Sequence, residues 1–223
     1  MNKYISIFFC VQIIALNLFA MQPKVTPVDY VRPQIDTHKS RWFFFSSASR
    51  PFGMVSLSPD TWTEGSWNSG YLYNSKEIRC FSHVHCWQLA GVPVMPTTGE
   101  VKGHKGMDAY KSTYSHETEI VKPGYHKVEL DTYQIRVELT STSRVGMHRY
   151  TYPAGEKANV LFDVGALLAH GKTEKAAIHR ISSKEIGGYS VLAPTSRRKK
   201  PVTVYFVARF NQNMTAFGGW EKE

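Results

Sequence analysis

The sequence predicts an all-β protein in which two antiparallel sheets pack face to face. Apolar residues recur with a period of two, the periodic runs are short, and Pro- or Gly-bearing turns separate them. In chain order, Pro51 and Gly53 set a turn, "MVSLS" follows it as a strand, and Pro59-Asp60 is expected to end that strand. In "YHKVELDTYQIRVELTSTSRVGMHRYTYP", Val128 and Leu130 alternate with charges and Asp131-Thr132 breaks the run. Tyr133, Ile135, Val137 and Leu139 then resume it, which reads as a hairpin with one buried face. "NVLFDVG" reads as a shorter, more fully buried strand. "GKTEKAAIH", ending at His179, is the one stretch with helical flavour. "VTVYFVARF" returns to the period of two, with Val202, Val204, Phe206, Ala208 and Phe210 on one side. No repeat, low-complexity tract or linker divides the chain after its first twenty residues.

Composition narrows the class. With 223 residues, 42% of them hydrophobic and 13% aromatic, the chain can bury one sizeable core, and global disorder is excluded. The formal charge is +9, from 27 Lys and Arg against 18 Asp and Glu. The cations are spread along the chain apart from "SRRKK", which Pro194 and Pro201 bracket as a loop between two strands. No nucleic-acid reader motif accompanies that charge.

The first twenty residues, "MNKYISIFFCVQIIALNLFA", place Lys3 before an apolar run that ends on Ala20. This is the pattern of a signal peptide over residues 1–20, with a mature domain from 21 to 223 and export to the periplasm or the medium. A membrane anchor is the rival reading, weakened by Gln12 and Asn17 within the run. Export would leave Cys80 and Cys86 in a compartment that permits disulfides. Were the segment between them extended, six steps of about 3.3 Å would carry the two Cα atoms beyond the roughly 7 Å a disulfide tolerates. Pairing therefore requires a turn.

Two stretches invite a functional reading. Trp62, Trp67, Tyr71 and Tyr73 stand among Gly65, Ser66, Asn68, Ser69 and Gly70. Flat rings beside short hydrogen-bonding side chains suit the apolar faces and hydroxyl edges of sugars, while the plainer reading has the rings cap the sandwich. In "RCFSHVHCWQLAGVPVMPTTG", Cys80, His83, His85 and Cys86 crowd together as a metal site would. However, His-x-His on a strand already puts both imidazoles on one face, and a zinc site wants four converging ligands with paired short spacings. No metal is expected in this chain, and Asp60, Glu64, Asp108, Glu117, Glu119 and Asp163 form no pair whose convergence the sequence establishes.

"PFGMVSLSPDT", the loop with "SGY", "FSHVH", "VMPTTG", "YSHETEIVKPGYHKVEL", "ELTSTSRVGMHRYTYP" and "NVLFDVG" occur in that order. From about Tyr30 onward they resemble the N-terminal domain of glycoside hydrolase family 92, the secreted α-mannosidases. The resemblance implies a β-sandwich of the supersandwich kind that packs on a larger (α/α) helical barrel. It also implies exo-acting, inverting, calcium-assisted removal of mannose from α-mannosides in glycans. The acid, the base and most calcium ligands would belong to the helical domain, and the chain stops at "FGGWEKE", ahead of it. No catalytic residue or calcium ligand is therefore transferred, and this chain alone is expected to be inactive. By resemblance the sandwich supplies a wall of the mannose site through Trp67, Ser69, Gly70 and Tyr71, with His83 and His85 as further candidates. "HKSRWFFFSSASR" and "CWQLAG" depart from the family's Gly-rich segments, so Trp42, Trp87 and Gln88 would reshape the pocket. A free-standing carbohydrate-binding module without catalysis is the alternative.

Overall fold

A computed structural model describes residues 25–38, 48–64, 70–86, 89–166, 171–196 and 198–221. The expected signal peptide, Cys10, Trp42, Trp67, Ser69, Trp87 and Gln88 lie outside them. The chain divides into two compact units, Met1–Val31 and Arg32–Glu223. The described part of the first is a single 3₁₀ turn, Pro27–Tyr30. Thr26 N and Oγ1 donate to Asp29 Oδ2 at 2.7 and 2.8 Å, which satisfies a donor the turn leaves open.

The second unit is built of strands: β1 (Ala48–Ser49), β2 (Ser56–Asp60), β3 (Glu77–Ile78), β4 (Cys80–Ser82), β5 (Val84–Cys86), β6 (Leu89–Gly91), β7 (Val94–Thr98) and β8 (Ser112–Thr113). They continue with β9 (Ile120–Lys122), β10 (Tyr125–Leu130), β11 (Ile135–Ser141), β12 (Gly146–Thr151), β13 (Ala158–Phe162), β14 (Thr173–Arg180), β15 (Glu185–Leu192) and β16 (Val202–Arg209). One α-helical turn, α1 (Met107–Tyr110), interrupts them. A five-stranded sheet, β1-β2-β4-β7-β13, faces a four-stranded sheet, β12-β11-β10-β9. A three-stranded sheet, β14-β15-β16, and two short pairs complete the set.

The core lies between the two larger sheets. Leu57, Phe81, Met95 and Leu161 come from one, and Val128, Leu130, Ile135, Val137 and Leu139 from the other. The β10–β11 register sets Val128 opposite Val137 and Leu130 opposite Ile135, so the period of two delivers every apolar side chain of the hairpin to one face. At about 1.5–3 kcal/mol for each fully buried large apolar side chain, this face dominates the stability of the sandwich.

Most expected elements are present, with three differences. "NVLFDVG" gives a strand that is not fully buried: β13 lies at the edge of its sheet, and Leu161 is its one buried residue. Gly171–His179, read as faintly helical, forms most of β14, which pairs along β15 with a bulge between Thr173 and Lys175. A single short helix is marginal on its own, whereas pairing satisfies the same backbone groups against a neighbour. Pro59-Asp60 does not end β2, because Pro59 pairs with Phe81 and Asp60 with Cys80. Among the described residues β1 pairs with β2 at Ser56 and Leu57, and Pro59 joins β4 from a position where a missing N–H is tolerated. On β16, Val202, Val204, Phe206 and Ala208 are half-buried and their neighbours exposed, as the alternation requires. Phe206 stacks on Phe162 at 5.9 Å.

Candidate functional site

The aromatic loop leaves and re-enters the sandwich through one backbone bridge. Trp62 N donates to Gly70 O at 2.9 Å and Gly70 N donates to Trp62 O at 2.7 Å, which clamps the two ends of residues 65–69 together. Gly70 sits at φ 111°, a region that a side chain would strain. The Trp62 indole Nε1 is buried beside this bridge and has no hydrogen-bond partner among the described residues. The candidates Trp67 and Ser69 fall in residues 65–69, outside the described residues.

Tyr71 is fully buried. A ring offered to a sugar would stand at the surface; this one is drawn inward by a buried carboxylate, Glu119. The Tyr71 hydroxyl donates to Glu119 at 2.8–2.9 Å. Gln34 Nε2 donates to the Tyr71 hydroxyl at 2.9 Å and to Glu119 Oε2 at 3.1 Å. His116 Nδ1 lies 2.6 Å from Oε2, and His126 Nε2 lies 2.8 Å from Oε1. Only 2% of the Glu119 side chain is exposed. Burial alone would raise its pKa, but the bonds from His126, His116 and Tyr71 outweigh that and hold the carboxyl below its usual range. The Tyr71 hydroxyl is pushed far up, first by burial and then by the Glu119 charge, so it stays protonated and donating. His116 also stacks on Tyr73, with ring centroids 4.0 Å apart. The knot thus ties the C-terminal end of the loop to β10 through His126. One local signal could have found it: His126 occupies the inward phase of "HKVEL" with Val128 and Leu130, a polar residue where the pattern wants an apolar one.

His83 and His85 are brought to different partners. Val92 O lies 2.8 Å from His83 Nδ1, and His148 Nε2 lies 2.8 Å from His83 Nε2. His85 Nδ1 is 2.5 Å from Ser56 O, and its Nε2 is 2.7 Å from Asp60 Oδ1 and 2.9 Å from Ser82 Oγ. Both His85 nitrogens face oxygen acceptors, and the charge and hydrogen bond of Asp60, with the Ser56 carbonyl, lift its pKa in spite of burial. His85 and Asp60 therefore make a buried ion pair. Ser82, His85 and Asp60 do not form a nucleophilic triad, because serine and carboxylate meet the same nitrogen and the pair is sealed from solvent.

All four ring nitrogens of His83 and His85 thus have protein partners. Cys80 is a free, buried thiol that donates to Asp60 Oδ2 at 3.3 Å, so it does not pair with Cys86. Burial, then the Asp60 charge, pushes that thiol well up. A divalent cation finds no ready ligand set among the described residues. No three His, Cys, Asp or Glu side chains are grouped to hold one, and the buried carboxylates of Asp60 and Glu119 already receive several donors.

Residues 30–223 match the glycosyl hydrolase family 92 N-terminal domain. The chain belongs to this family. The family 92 sandwich is also similar to a GH92 alpha-mannosidase of Bacteroides thetaiotaomicron, with 31% identity over 87% of this chain and a TM-score of 0.76. The structure of that enzyme with mannoimidazole gives 32% identity over 84% of this chain and a TM-score of 0.73. An inverting mannosidase of the same organism, at 19% identity, shares the fold over 84% of this chain with a TM-score of 0.62. No curated protein matches the chain. The chain covers 27%, 26% and 29% of those three solved structures.

Proposed function

We propose that this chain serves as the N-terminal sandwich of an exo-acting, inverting, calcium-dependent α-mannosidase that trims mannose-containing glycans outside the cytoplasm. The family match over residues 30–223 carries the reading. Similarity to an alpha-mannosidase solved with mannoimidazole supports mannose as the sugar. Inversion needs an acid and a base about 6.5–9.5 Å apart. We assign both, together with the calcium ligands, to a helical domain that packs on the sandwich. The carboxylates best placed by burial here, Glu119 and Asp60, are already engaged by histidines.

In this reading the sandwich supplies a wall of the mannose site from residues 67–71. Trp67 meets the sugar ring. Tyr71 acts from inside: its hydroxyl is committed to Glu119, so it fixes Gly70 and the end of the loop without touching substrate. His85 and His83 serve the sandwich beneath. Residues 1–20 act as the export signal, to the periplasm or the medium.

The test joins the sandwich to the helical domain of an intact family 92 enzyme and compares Trp67→Ala with the wild type. Loss of α-mannosidase turnover on the order of a hundredfold at unchanged melting temperature is expected, because small displacements from a productive geometry cost that much. Turnover within a few-fold of wild type removes Trp67 from the site, and a collapsed melting temperature makes the ring a core residue.

A further inference from the structure

We propose that His83 and His148 form an acid-sensitive latch between the two sheets of the sandwich, which releases the β12 edge when the pair takes up protons. His83 stands in the bend between β4 and β5, bonded by its backbone to Gly91 and Ser56. His148 stands on β12, the edge strand of the opposite sheet. Their side-chain bond therefore crosses the core boundary, with Nε2 to Nε2 at 2.8 Å and ring centroids 4.8 Å apart. β12 offers the His83 ring bare backbone: a Cβ at Gly146 would fall 2.6 Å from His83 Cδ2.

The neighbours fix the proton order. Val92 O can only accept, so His83 Nδ1 donates to it and His83 Nε2 is left to accept. His148 Nε2 must then donate, and His148 Nδ1 accepts from the Tyr150 hydroxyl at 2.8 Å. With both rings neutral, every atom is satisfied. One added proton fits on His148 Nδ1 if the Tyr150 hydroxyl turns to accept it. A second proton has only His83 Nε2 to go to, where it meets the His148 N–H head on, and the bond between the sheets is lost.

Burial opposes a proton on either ring, and the charges around His83 act in both directions. The imidazolium of His85 repels a cation on His83 while Asp60 attracts it. Tyr150 of β12 and Tyr152 just after it add phenols on the His148 side. Arg149, between His148 and Tyr150, is turned to Glu138 on β11. Burial lowers the pKa of His83 and lowers that of His148 further, the latter also through His83. Folded-state values below the unfolded value of about 6.5 mean that an open form binds more protons. The latch is therefore closed above that pH and weakens as pH falls below it. The turn that begins β12 also holds the preceding family block, since Met54 N donates to Ser143 O at 2.7 Å. Release of the edge thus frees that contact.

Amide hydrogen exchange of the 223-residue chain from pH 7.5 to pH 5, corrected for intrinsic rates, tests the latch. Protection of β12 should fall by at least about tenfold relative to the β10–β11 hairpin, because pH 5 lies well below the unfolded imidazole value of about 6.5, where the open form is protonated. His148→Gln keeps a donor toward His83 but does not titrate, so most of that fall should vanish. An equal fall in the variant, or none in the wild type, overturns the proposal. Where the variant does not fold, the His83 and His148 Cε1 proton signals of the wild type decide instead. Coupled titration below pH 6.5 supports the latch, and an ordinary midpoint for either ring overturns it.

Discussion

Glu119→Gln is the sharpest perturbation of this sandwich. The substitution keeps the shape of the side chain and removes its charge. One carboxylate oxygen takes His126 and Tyr71, and the other takes His116, Gln34 and Tyr71. An amide nitrogen at either position meets donors with its own hydrogens. If it stands at the first, His126 Nε2 loses its acceptor at a fully buried ring. A buried donor left unsatisfied costs about 1–3 kcal/mol, and the loss of charge assistance on the remaining bonds adds about 1 kcal/mol. Solvent cannot compensate at 2% side-chain exposure. A loss of about 3 kcal/mol in a domain of this size lowers the melting temperature by roughly 6–12 °C. The pH dependence carries the same sign. A carboxyl held below its unfolded value of about 4.3 stabilises above that pH and loses the contribution as pH falls through the folded value. The variant should therefore lose less stability than wild type on acidification below about pH 4.3. Urea denaturation and near-ultraviolet melts at pH 7 and pH 3 measure both effects. A variant that melts within about 2 °C of wild type at pH 7 would show that the five bonds carry no net stability.

Two further outcomes follow from the buried groups around Asp60. Asp60→Asn should cost about 3–5 kcal/mol, because it leaves the His85 imidazolium without its counter-charge. His85 has a raised folded-state pKa, so its contribution is complete below about pH 6.5 and lost as pH climbs through the folded value. The variant should flatten that alkaline loss in a series of melts from pH 6 to pH 10, and an unchanged slope would refute the ion pair. In a chain with Cys10 and Cys86 replaced by Ser, Cys80 should resist a thiol reagent at pH 8 and react fully in denaturant, because the buried thiol is held protonated against Asp60. Rapid labelling of the native chain would contradict that packing.

Local periodicity and ordered family blocks carry the strand faces and the family. The alternation in "YHKVEL" and "QIRVEL" settles which side chains of β10 and β11 face the core, and the same rule sorts β16. "SRRKK" falls between β15 and β16 as its flanking prolines require. The polar pairings arise from packing across the folded sheets. Tyr71 and Glu119 are 48 residues apart, and His83 and His148 are 65 apart. No local pattern encodes which carboxylate or imidazole will stand opposite another once two sheets close. The same cause turns Tyr71 inward from a Gly- and Ser-rich loop: its ring is buried because a distant carboxylate satisfies its hydroxyl there. It also makes Gly171–His179 a strand, since its weak intrinsic preference is overruled by the unpaired edge of β15 beside it. Apolar patterning fixes the face of each element, whereas hydrogen-bond partners and charge states depend on register and on sheet-to-sheet packing, which exist only in the folded chain.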